Sequence, residues 1–434
     1  MTVGAADLEM LQTLQRETFT YFVDYTNPRT GLVADRTSPG SPASIAAVGL
    51  ALTSYPIAVE RGWWTRAEAV TRSLATLRFL AGSEQSAAPL ATGHHGFYYH
   101  FLDPESGARF GGCELSTIDT ALLVAGIHTV ALYFTGAEPD EGALRELGDE
   151  LYRRVDWNWA ADSNGTLRHG WRPESGFLEP RWDRGYSEAL LLYILALGSP
   201  TFSTHPAGYL AWIRTFERLS LYGFDQVYAG PLFIHQLPQL WLDLHGVRDA
   251  RCRELGFDYF ENSRRATLAQ RAYAIENPAG FTGYGENEWG FTASNGPGPE
   301  QHTVHGVVRE FYGYLARGAP FGPDDGTLSP WAIVASLPFA PHEVCAAIRH
   351  AIEHLGLKNA HGPGFEASFN ATYPVSSGHA RGWVSPCKYG LNEGPIVVMI
   401  ENYLSELIWT LWRGSPYVRR GLERGGFRGG WIDR

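Results

Sequence analysis

The chain has 434 residues, 44% apolar side chains and a formal net charge of −11, a composition typical of a globular protein with a sizeable core. The acidic balance argues against a nucleic-acid partner, because such a partner selects a basic surface. The four cysteines are widely spaced and form no C-x-x-C pair, so we expect neither a disulfide framework nor a zinc site. No stretch reaches the roughly 18 apolar residues of a membrane span.

The N-terminal residues, MTVGAADLEMLQTLQRETF, lack a basic segment followed by a continuous apolar stretch. We therefore expect no signal peptide, and the sequence as it stands favours a cytoplasmic location. A chain whose leader had been removed would look the same, and a periplasmic or secreted location would then be expected.

Helical patterns dominate the sequence in chain order. Apolar periodicity and capping signals predict helices at about 8–22, 43–58, 65–82, 116–135, 139–156, 187–197, 207–218, 228–244, 249–276, 305–317, 330–337, 342–355 and 395–413. Short extended segments interrupt them at 96–103, 166–171 and 365–374. Gly- and Pro-rich loops separate these elements, but none is long enough to divide the chain. We predict a single domain over residues 1–434.

The predicted helices are of two kinds. Four are apolar on nearly every side: 43–58, 118–134, 189–197 and 395–400. Their neighbours are amphipathic, as in DEGALRELGDELYRRVDW. A helix that is apolar all round must be enclosed by others, whereas an amphipathic helix suits an outer layer. The alternation predicts an all-α fold in which an outer ring of helices surrounds an inner ring, an α/α barrel. A two-layer solenoid is the alternative, but the sequence shows no fixed repeat period.

Acidic residues stand near the predicted starts of the apolar helices. The inner helices of an α/α barrel run roughly parallel, so their N-termini open at the same end. The residues at these starts are Asp35 and Arg36, Glu114 and Asp119, Glu188, and Asn392 and Glu393. We expect them to converge on one rim of the barrel.

A purely structural role explains Asp119 more readily than it explains Glu188. Glu188 stands directly before the apolar run from Ala189 to Leu197, so a barrel would hold it near the floor of a cavity. Desolvation there would raise its pKa toward that of a general acid. Asp119 lies three residues after Ser116 and is also explained as the acid of a capping box. For Asp119 the structural and the functional interpretations both stay open.

A second acidic cluster lies in the loop GYGENEWGFTASNGPGP. It contains Glu286, Glu288 and Trp289 between glycines, and loops of this kind on rigid scaffolds often carry function. A solvated surface loop is the alternative, but an exposed Trp289 would be costly there. We expect one of the two glutamates, preferably Glu286, to face a ligand.

Other chemistries find little support in the sequence. His94, His95 and His100 lack metal-ligand spacing, and we find no nucleophile elbow, phosphate loop or dinucleotide fingerprint. We therefore expect neither a metal nor a cofactor. Aromatic residues reach 13%, which suits either stacking on sugar rings or a large aromatic core. Carboxylates and aromatic side chains around one cavity are the groups that enzymes use to cleave a glycosidic bond.

Eight distinctive stretches occur between about residues 18 and 428. They are YFVDYTNPRTGLVADR, GFYYHFLDPESGARF, ELSTIDTALLVAG, YRRVDWNWA, RGYSEALLLYILALGSP, YGENEWGFTASNGP, GTLSPWAIVASLPFAP and GLNEGPIVVMIENY. In this order they resemble the glycoamylase-like domain family, which includes bacterial endo-β-1,2-glucanases and the transglycosylating domain of cyclic β-1,2-glucan synthases. The resemblance implies an (α/α)6 barrel, with short β-hairpin insertions and long loops at the active-site end, that acts on β-1,2-glucan.

The resemblance also assigns residues. It implies that Asp119, Glu188 and Glu286 are catalytic, with Glu188 or Glu286 protonating the leaving oxygen while a second acid assists water. We expect substrate contacts from Arg36, His100, Glu114, Trp171, Tyr186, Glu288, Trp289, Trp383, Asn392 and Glu393. Relatives often have Asp where this chain has Asn295 and Gln where it has Glu393, so the charge within the pocket differs from the family's pattern.

Our prediction is a glycoside hydrolase that cleaves β-1,2-glucan or its oligosaccharides, with a glucan as its partner. Two alternatives stay open: a transglycosylase that transfers glucan, and a carbohydrate-binding relative that has lost activity. The sequence leaves open the stereochemical course, endo or exo action and the oligomeric state.

Overall fold

Helices form most of the regular structure of this protein, known here from a computed structural model that describes residues 3–358, 362–375 and 380–434. In chain order the helices are α1 Ala5–Asp24, α2 Ile45–Glu60, α3 Arg66–Gly82, α4 Thr117–Tyr133, α5 Pro139–Arg154, α6 Ala189–Gly198, α7 Pro206–Ile213, α8 Phe233–Gln236, α9 Ala250–Leu255, α10 Tyr259–Glu276, α11 Pro330–Val334, α12 Pro341–Glu353, α13 Gly390–Ser405, α14 Leu407–Arg413 and α15 Pro416–Arg424. The prediction of a predominantly helical fold is confirmed. No helix in these ranges is both long and apolar enough to cross a membrane.

The inner part of the fold consists of the helices that the sequence marks as apolar on every side. All residues of α2 from Ile45 to Ala58 are buried, and so is the whole of α6. α2 packs against both α4 and α13, α4 packs against α6, and α11 packs against α13. Such helices carry no polar stripe to turn toward water, so burial on all sides is their stable arrangement.

α2 and α4 approach each other closely through two glycines. A Cβ atom added to Gly49 would lie 2.2 Å from the carbonyl oxygen of Leu122, and one added to Gly126 would lie 2.0 Å from that of Gly49. Neither distance leaves room for a methyl group. The two glycines therefore allow the backbones of these inner helices to touch.

The outer helices show the amphipathic pattern that the sequence predicts. α1 packs against α13, α3 against α5, α5 against α4, α15 against α6, and α12 against α11. α5 buries one stripe, which includes Leu144, Gly148 and Leu151; among its charged residues only Glu141 is buried, where it pairs with Arg66. α3 begins with the predicted capping box, in which Thr65 and Glu68 bond reciprocally.

The strands are short and antiparallel. They are β1 Ala43–Ser44, β2 Gly93–His94, β3 Phe97–Tyr99, β4 Phe101–Leu102, β5 Leu115–Ser116, β6 Gly170–Arg172, β7 Gly176–Phe177, β8 Arg218–Leu221, β9 Phe224–Val227, β10 Ala293–Ser294, β11 Glu300–Val304, β12 Val307–Phe311, β13 Leu315–Ala316, β14 Thr327–Leu328, β15 Phe369–Asn370 and β16 Trp383–Val384. Five of them join into one sheet in the order β2-β3-β5-β6-β7. The expected hairpin insertions are thus partly a connected sheet, in which Tyr98 pairs with Ser116 and Leu115 with Trp171.

Several predicted helices differ from those observed. The segment 305–317 is wrong as a helix: it forms the turn and second strand of the β11–β12 hairpin, followed by β13. His305 and Gly306 both have positive φ there, which matches the twist of a two-residue hairpin turn. The segment 228–244 is helical mainly from Phe233 to Gln236, with a 3-10 turn at Leu237–Leu240.

Two long predicted helices are each divided. The segment 249–276 breaks at Gly256, whose positive φ ends α9 as a left-handed cap. The segment 395–413 forms α13 and α14, because Glu406 takes a left-handed conformation between them. In both segments the apolar periodicity continues through the break. It therefore predicted a single helix in each, although the backbone forms two.

Candidate active site

A cavity of about 520 Å³ opens where the inner helices begin. Four helices, α4, α8, α11 and α13, contribute residues at or near their N-terminal ends. These residues are Ile118, Asp119 and Leu122 from α4, Phe233 from α8, Trp331 from α11, and Leu391 and Asn392 from α13. Glu188, the residue directly before α6, and Leu237 of the 3-10 turn complete this set. Asp35 and Arg36, from the loop before α2, also line the cavity. The expected convergence is therefore present for five of the seven residues, whereas Glu114 and Glu393 are not among those that line the cavity.

Asp119 lies in the first turn of α4 with its carboxylate held by Ser116. The Ser116 hydroxyl donates to Oδ2 of Asp119 at 2.5 Å, and Oγ of Ser116 accepts from the Asp119 amide at 3.2 Å. The capping role that the sequence suggests is thus carried by Ser116. The Asp119 side chain also lines the cavity, so the local cap and a place in the site coexist.

Glu188 is the N-cap residue of α6, yet its side chain makes no capping bond to the described backbone. Burial raises the pKa of its carboxyl to about 7, and the nearby charge of Asp119 adds to the effect. A carboxyl with this pKa is largely protonated at mildly acidic pH. It is therefore suited to donate a proton to a group bound in the cavity.

Three further charged groups stand beside Asp119. Nδ1 of His100 is 3.0 Å from Oε1 of Glu114 and 3.7 Å from Oδ2 of Asp119. Burial lowers the pKa of His100, but Asp119, Glu114 and Asp35 outweigh it and raise that pKa to about 9. The hydrogen bond from His100 lowers the pKa of Glu114 to about 2 despite burial. The cavity wall therefore holds a stable imidazolium–carboxylate pair.

Asp35 is a member of this cavity that was noted before α2 but not assigned to the site. Burial raises the pKa of its carboxyl, while Arg36 and His100 act in the opposite direction. Asp35 belongs to an irregular loop, in which its backbone amide donates a hydrogen bond to the carbonyl of Pro42. The sequence signal for it was only its position before an apolar helix.

The loop that contains Glu286 does not bring its acids to the cavity. Gly285 and Glu288 exchange backbone hydrogen bonds of 3.3 and 3.4 Å, so Glu286 lies at the tip of a tight turn. Its side chain is 70% exposed and 3.4 Å from Arg271. Glu286 is therefore not among the residues that line this cavity, and its catalytic role stays a prediction.

The other two predicted residues of this loop also point elsewhere. Oε1 of Glu288 is 2.9 Å from Nε2 of His350 on α12, and Trp289 is fully buried. A buried Trp289 explains why the sequence has an aromatic residue in a Gly-rich loop. The Trp289 side chain packs in the core, whereas we expected it to contact substrate.

Of the remaining predicted residues, Arg36, His100 and Asn392 line the cavity. Glu114 is not among the residues that line the cavity, but it contacts His100, which is.

Trp171, Tyr186, Trp383 and Glu393 lie outside the set of residues that line the cavity. Trp171 packs with His94 in the five-stranded sheet, and the ring of Tyr186 stacks within the core, 5.4 Å from that of Tyr259. Trp383 lies in β16, and Glu393 is buried. Aromatic residues that seem free in sequence are thus used for packing.

The sequence profile of the Glycoamylase family, described as "Putative glucoamylase", matches residues 181–416. This chain belongs to the Glycoamylase family. The predicted resemblance to glycoamylase-like proteins is therefore confirmed.

Solved and curated members show how far the likeness extends. A Bacteroides uniformis protein with the same description is 30% identical, with 100% of both chains covered and a TM-score of 0.86. The endo-β-1,2-glucanase of Chitinophaga pinensis, solved with sophorotriose and glucose, is 26% identical over 99% of this chain and 100% of its own, with a TM-score of 0.85. An exo β-1,2-glucooligosaccharide sophorohydrolase of Parabacteroides distasonis is 28% identical over 98% of this chain. The chain spans 58% of the length of that curated relative.

Several cavity residues of this family member escaped the sequence analysis. Tyr314 is 72% exposed and lines the cavity next to the β10–β13 pair. It fell within the segment wrongly predicted as a helix, so its position was hidden. Asn295, noted only as a departure from the family's pattern, lines the cavity and donates a hydrogen bond to the hydroxyl of Tyr389. The departure at Asn295 thus bears on the cavity itself, whereas that at Glu393 does not.

Proposed function

We propose that this protein is a glycoside hydrolase that cleaves β-1,2-glucan or β-1,2-glucooligosaccharides. The observation that carries the proposal is the pair Asp119 and Glu188 in one cavity, with a pKa of about 7 for Glu188. A buried carboxyl with a raised pKa and a second acid in the same cavity supply the two groups that hydrolysis of a glycosidic bond requires. The linkage is proposed from relatives named as acting on β-1,2-glucan and its oligosaccharides.

In this proposal Glu188 is the general acid and Asp119 the general base. The Glu188 carboxyl gives its proton to the glycosidic oxygen as the bond from that oxygen to the anomeric carbon breaks. A water oxygen forms the new bond to the same carbon, and the proton lost from water passes to Asp119. Arg36 and Asn392 lie in the cavity wall and would bond sugar hydroxyls.

We also propose that the fold is a single-domain (α/α)6 barrel. Six inner elements follow one another around the cavity: α2, α4, α6, α8 with its 3-10 turn, α11 and α13. α1, α3, α5, α10, α12 and α15 pack outside them. This arrangement supports six helix pairs, and among the described residues the buried apolar side chains form one cluster from Val3 to Ile432.

The test is a linkage panel. Linear β-1,2-, β-1,3-, β-1,4- and β-1,6-glucans are incubated separately with the protein, and the products are separated by size. We expect shorter oligosaccharides from the β-1,2-linked glucan alone. Larger or cyclic products would indicate a transglycosylase, and binding without products would indicate a carbohydrate-binding protein. Either result would contradict the proposed hydrolysis.

A further inference from the structure

One ring nitrogen of His100 faces two carboxylates at the wall of the cavity. Nδ1 is 3.0 Å from Oε1 of Glu114, a hydrogen bond, and 3.7 Å from Oδ2 of Asp119. Opposite charges at such distances interact strongly in a partly buried site. The imidazole therefore acts on both acids, and one of them shares the cavity with Glu188.

The charges around His100 are mostly negative. Asp35 faces it from the loop before α2, Glu114 from the segment before β5, and Asp119 from α4. Nearby positive groups contact other members of the cluster: Nη2 of Arg172 is 3.9 Å from Glu114.

Burial raises the pKa of the Asp35 carboxyl, and the nearby charge of Arg36 acts in the opposite direction. Within residues 3–358, 362–375 and 380–434, His100 is the only cationic side chain within 4.0 Å of the Asp119 carboxylate. It is therefore the positive charge best placed to act on Asp119.

We propose that His100 is a positioning residue: as an imidazolium fixed by Glu114, it keeps Asp119 in the carboxylate form that accepts a proton during glucan cleavage. The inference rests on the proposed function, because it assigns Asp119 the role of base. Glu188 and Asp119 must hold opposite protonation states at the same pH. Two neighbouring carboxyls without a cation tend instead to share one proton.

The fold holds the imidazole in place through Glu114 and Phe101. The His100 amide donates to the Glu114 carbonyl at 3.0 Å, so Glu114 binds both the backbone and the ring of His100. The Ile45 amide donates to the His100 carbonyl at 3.3 Å, which ties the site to the start of α2. The ring stacks on Phe101, with centroids 4.1 Å apart. A group so constrained is suited to supply a charge at a fixed position.

The first test is the pH profile of kcat/KM on β-1,2-glucan for wild type and His100→Asn. An Asn amide keeps a donor near the Nδ1 position but carries no charge. We expect the acidic limb of the profile to move upward, because the base loses the cation 3.7 Å away. The alkaline limb, set by Glu188, should stay near pH 7. A fall in activity at every pH with both limbs unmoved would overturn the proposal.

The matched control is His245→Gln. His245 also pairs with a carboxylate, with Nδ1 2.6 Å from Oδ1 of Asp243, but neither residue lines the cavity. We expect this variant to keep both limbs of the wild-type profile. An equal upward shift of its acidic limb would mean that the effect does not depend on the position of His100, and would count against the inference.

A second measurement needs no substrate. Imidazole titration of the 15N-histidine-labelled protein by NMR should place His100 near pH 9, and Glu114→Gln should bring it down toward the ordinary value of 6.5. A wild-type His100 that titrates at or below 6.5 would overturn the inference, even if His100→Asn does not fold. If the titration agrees but the glucan is not cleaved, the proposed function fails while the charge arrangement stands.

Discussion

Replacement of Glu188 by Gln should stabilise the protein at alkaline pH while removing its activity. Burial raises the pKa of the Glu188 carboxyl in the folded protein from 4.5 to about 7. The folded state therefore binds this proton more tightly than the unfolded state does. As pH rises from about 4.5 to about 7, the wild type loses stability that the neutral glutamine keeps.

The magnitude follows from the size of this difference. A change of one pKa unit corresponds to 1.36 kcal/mol, so the charge of Glu188 costs the folded state ~3 kcal/mol above pH 7. At about 2.1 cal/mol/K of unfolding entropy per residue, a chain of 434 residues converts this into a Tm difference of about 3 to 4 °C. At pH 5 the difference should fall below about 1 kcal/mol, because Glu188 is then protonated in the folded protein.

The assay is thermal unfolding of wild type, Glu188→Gln and Glu286→Gln at pH 5 and pH 8. Glu286→Gln is the matched control, because its side chain is 70% exposed and is not among those that line the cavity. We expect a higher Tm than wild type only for Glu188→Gln and only at pH 8. If the Glu188→Gln variant is no more stable than wild type at pH 8, burial does not destabilise the charged form of Glu188 and the reasoning is refuted.

Three further predictions concern other parts of the molecule. Tyr314→Ala should raise KM for the glucan several-fold and leave the unfolding free energy within about 0.5 kcal/mol, because the ring is exposed at the cavity; an unchanged KM would exclude Tyr314 as a sugar platform. Gly49→Ala should destabilise the protein by about 1 to 3 kcal/mol or more in denaturant titration, since its Cβ would lie 2.2 Å from the Leu122 carbonyl oxygen; near-wild-type stability would contradict the close helix approach. Asp325→Asn should cost about 3 to 5 kcal/mol by the same assay, because it leaves the fully buried guanidinium of Arg317 without its charged partner, and a cost under 1 kcal/mol would contradict this.

The sequence predicted the inner helices and the acids at their starts because both depend on local patterns. An unbroken apolar run such as Ala189–Leu197 requires enclosure on all sides, so its position inside the fold follows from composition alone. Parallel inner helices then bring their starts to one end, which is why Asp119 and Glu188 meet although they are far apart in the chain.

The positions of the loop side chains could not be predicted from local patterns. Glu286 and Trp289 share a Gly-rich segment whose path depends on left-handed glycines, including Gly283 and Gly290, and on contacts with distant residues. Local sequence does not say which side chain of such a loop turns inward. Trp289 became part of the core and Glu286 the tip of a turn, whereas we expected Trp289 to contact substrate and Glu286 to face a ligand.

The remaining cavity residues were missed for a related reason. Tyr314 lies between a β-hairpin whose apolar spacing also fits a helix and the strand β13, whose partner β10 lies some 20 residues earlier. Asp35 lies in an irregular loop fixed by tertiary hydrogen bonds. In both cases the contacts that create the site are long-range, and one sequence contains no periodic signal for them.

The most direct test of the account is the hydrolysis rate of linear β-1,2-glucan by wild type, Glu188→Gln, Asp119→Asn and Glu286→Gln at pH 6, with folding verified by circular dichroism. The account predicts that loss of either cavity acid lowers kcat by about 10²- to 10⁴-fold, whereas Glu286→Gln keeps nearly full activity. Full activity of a folded Glu188→Gln variant, or loss of activity only in Glu286→Gln, would contradict it.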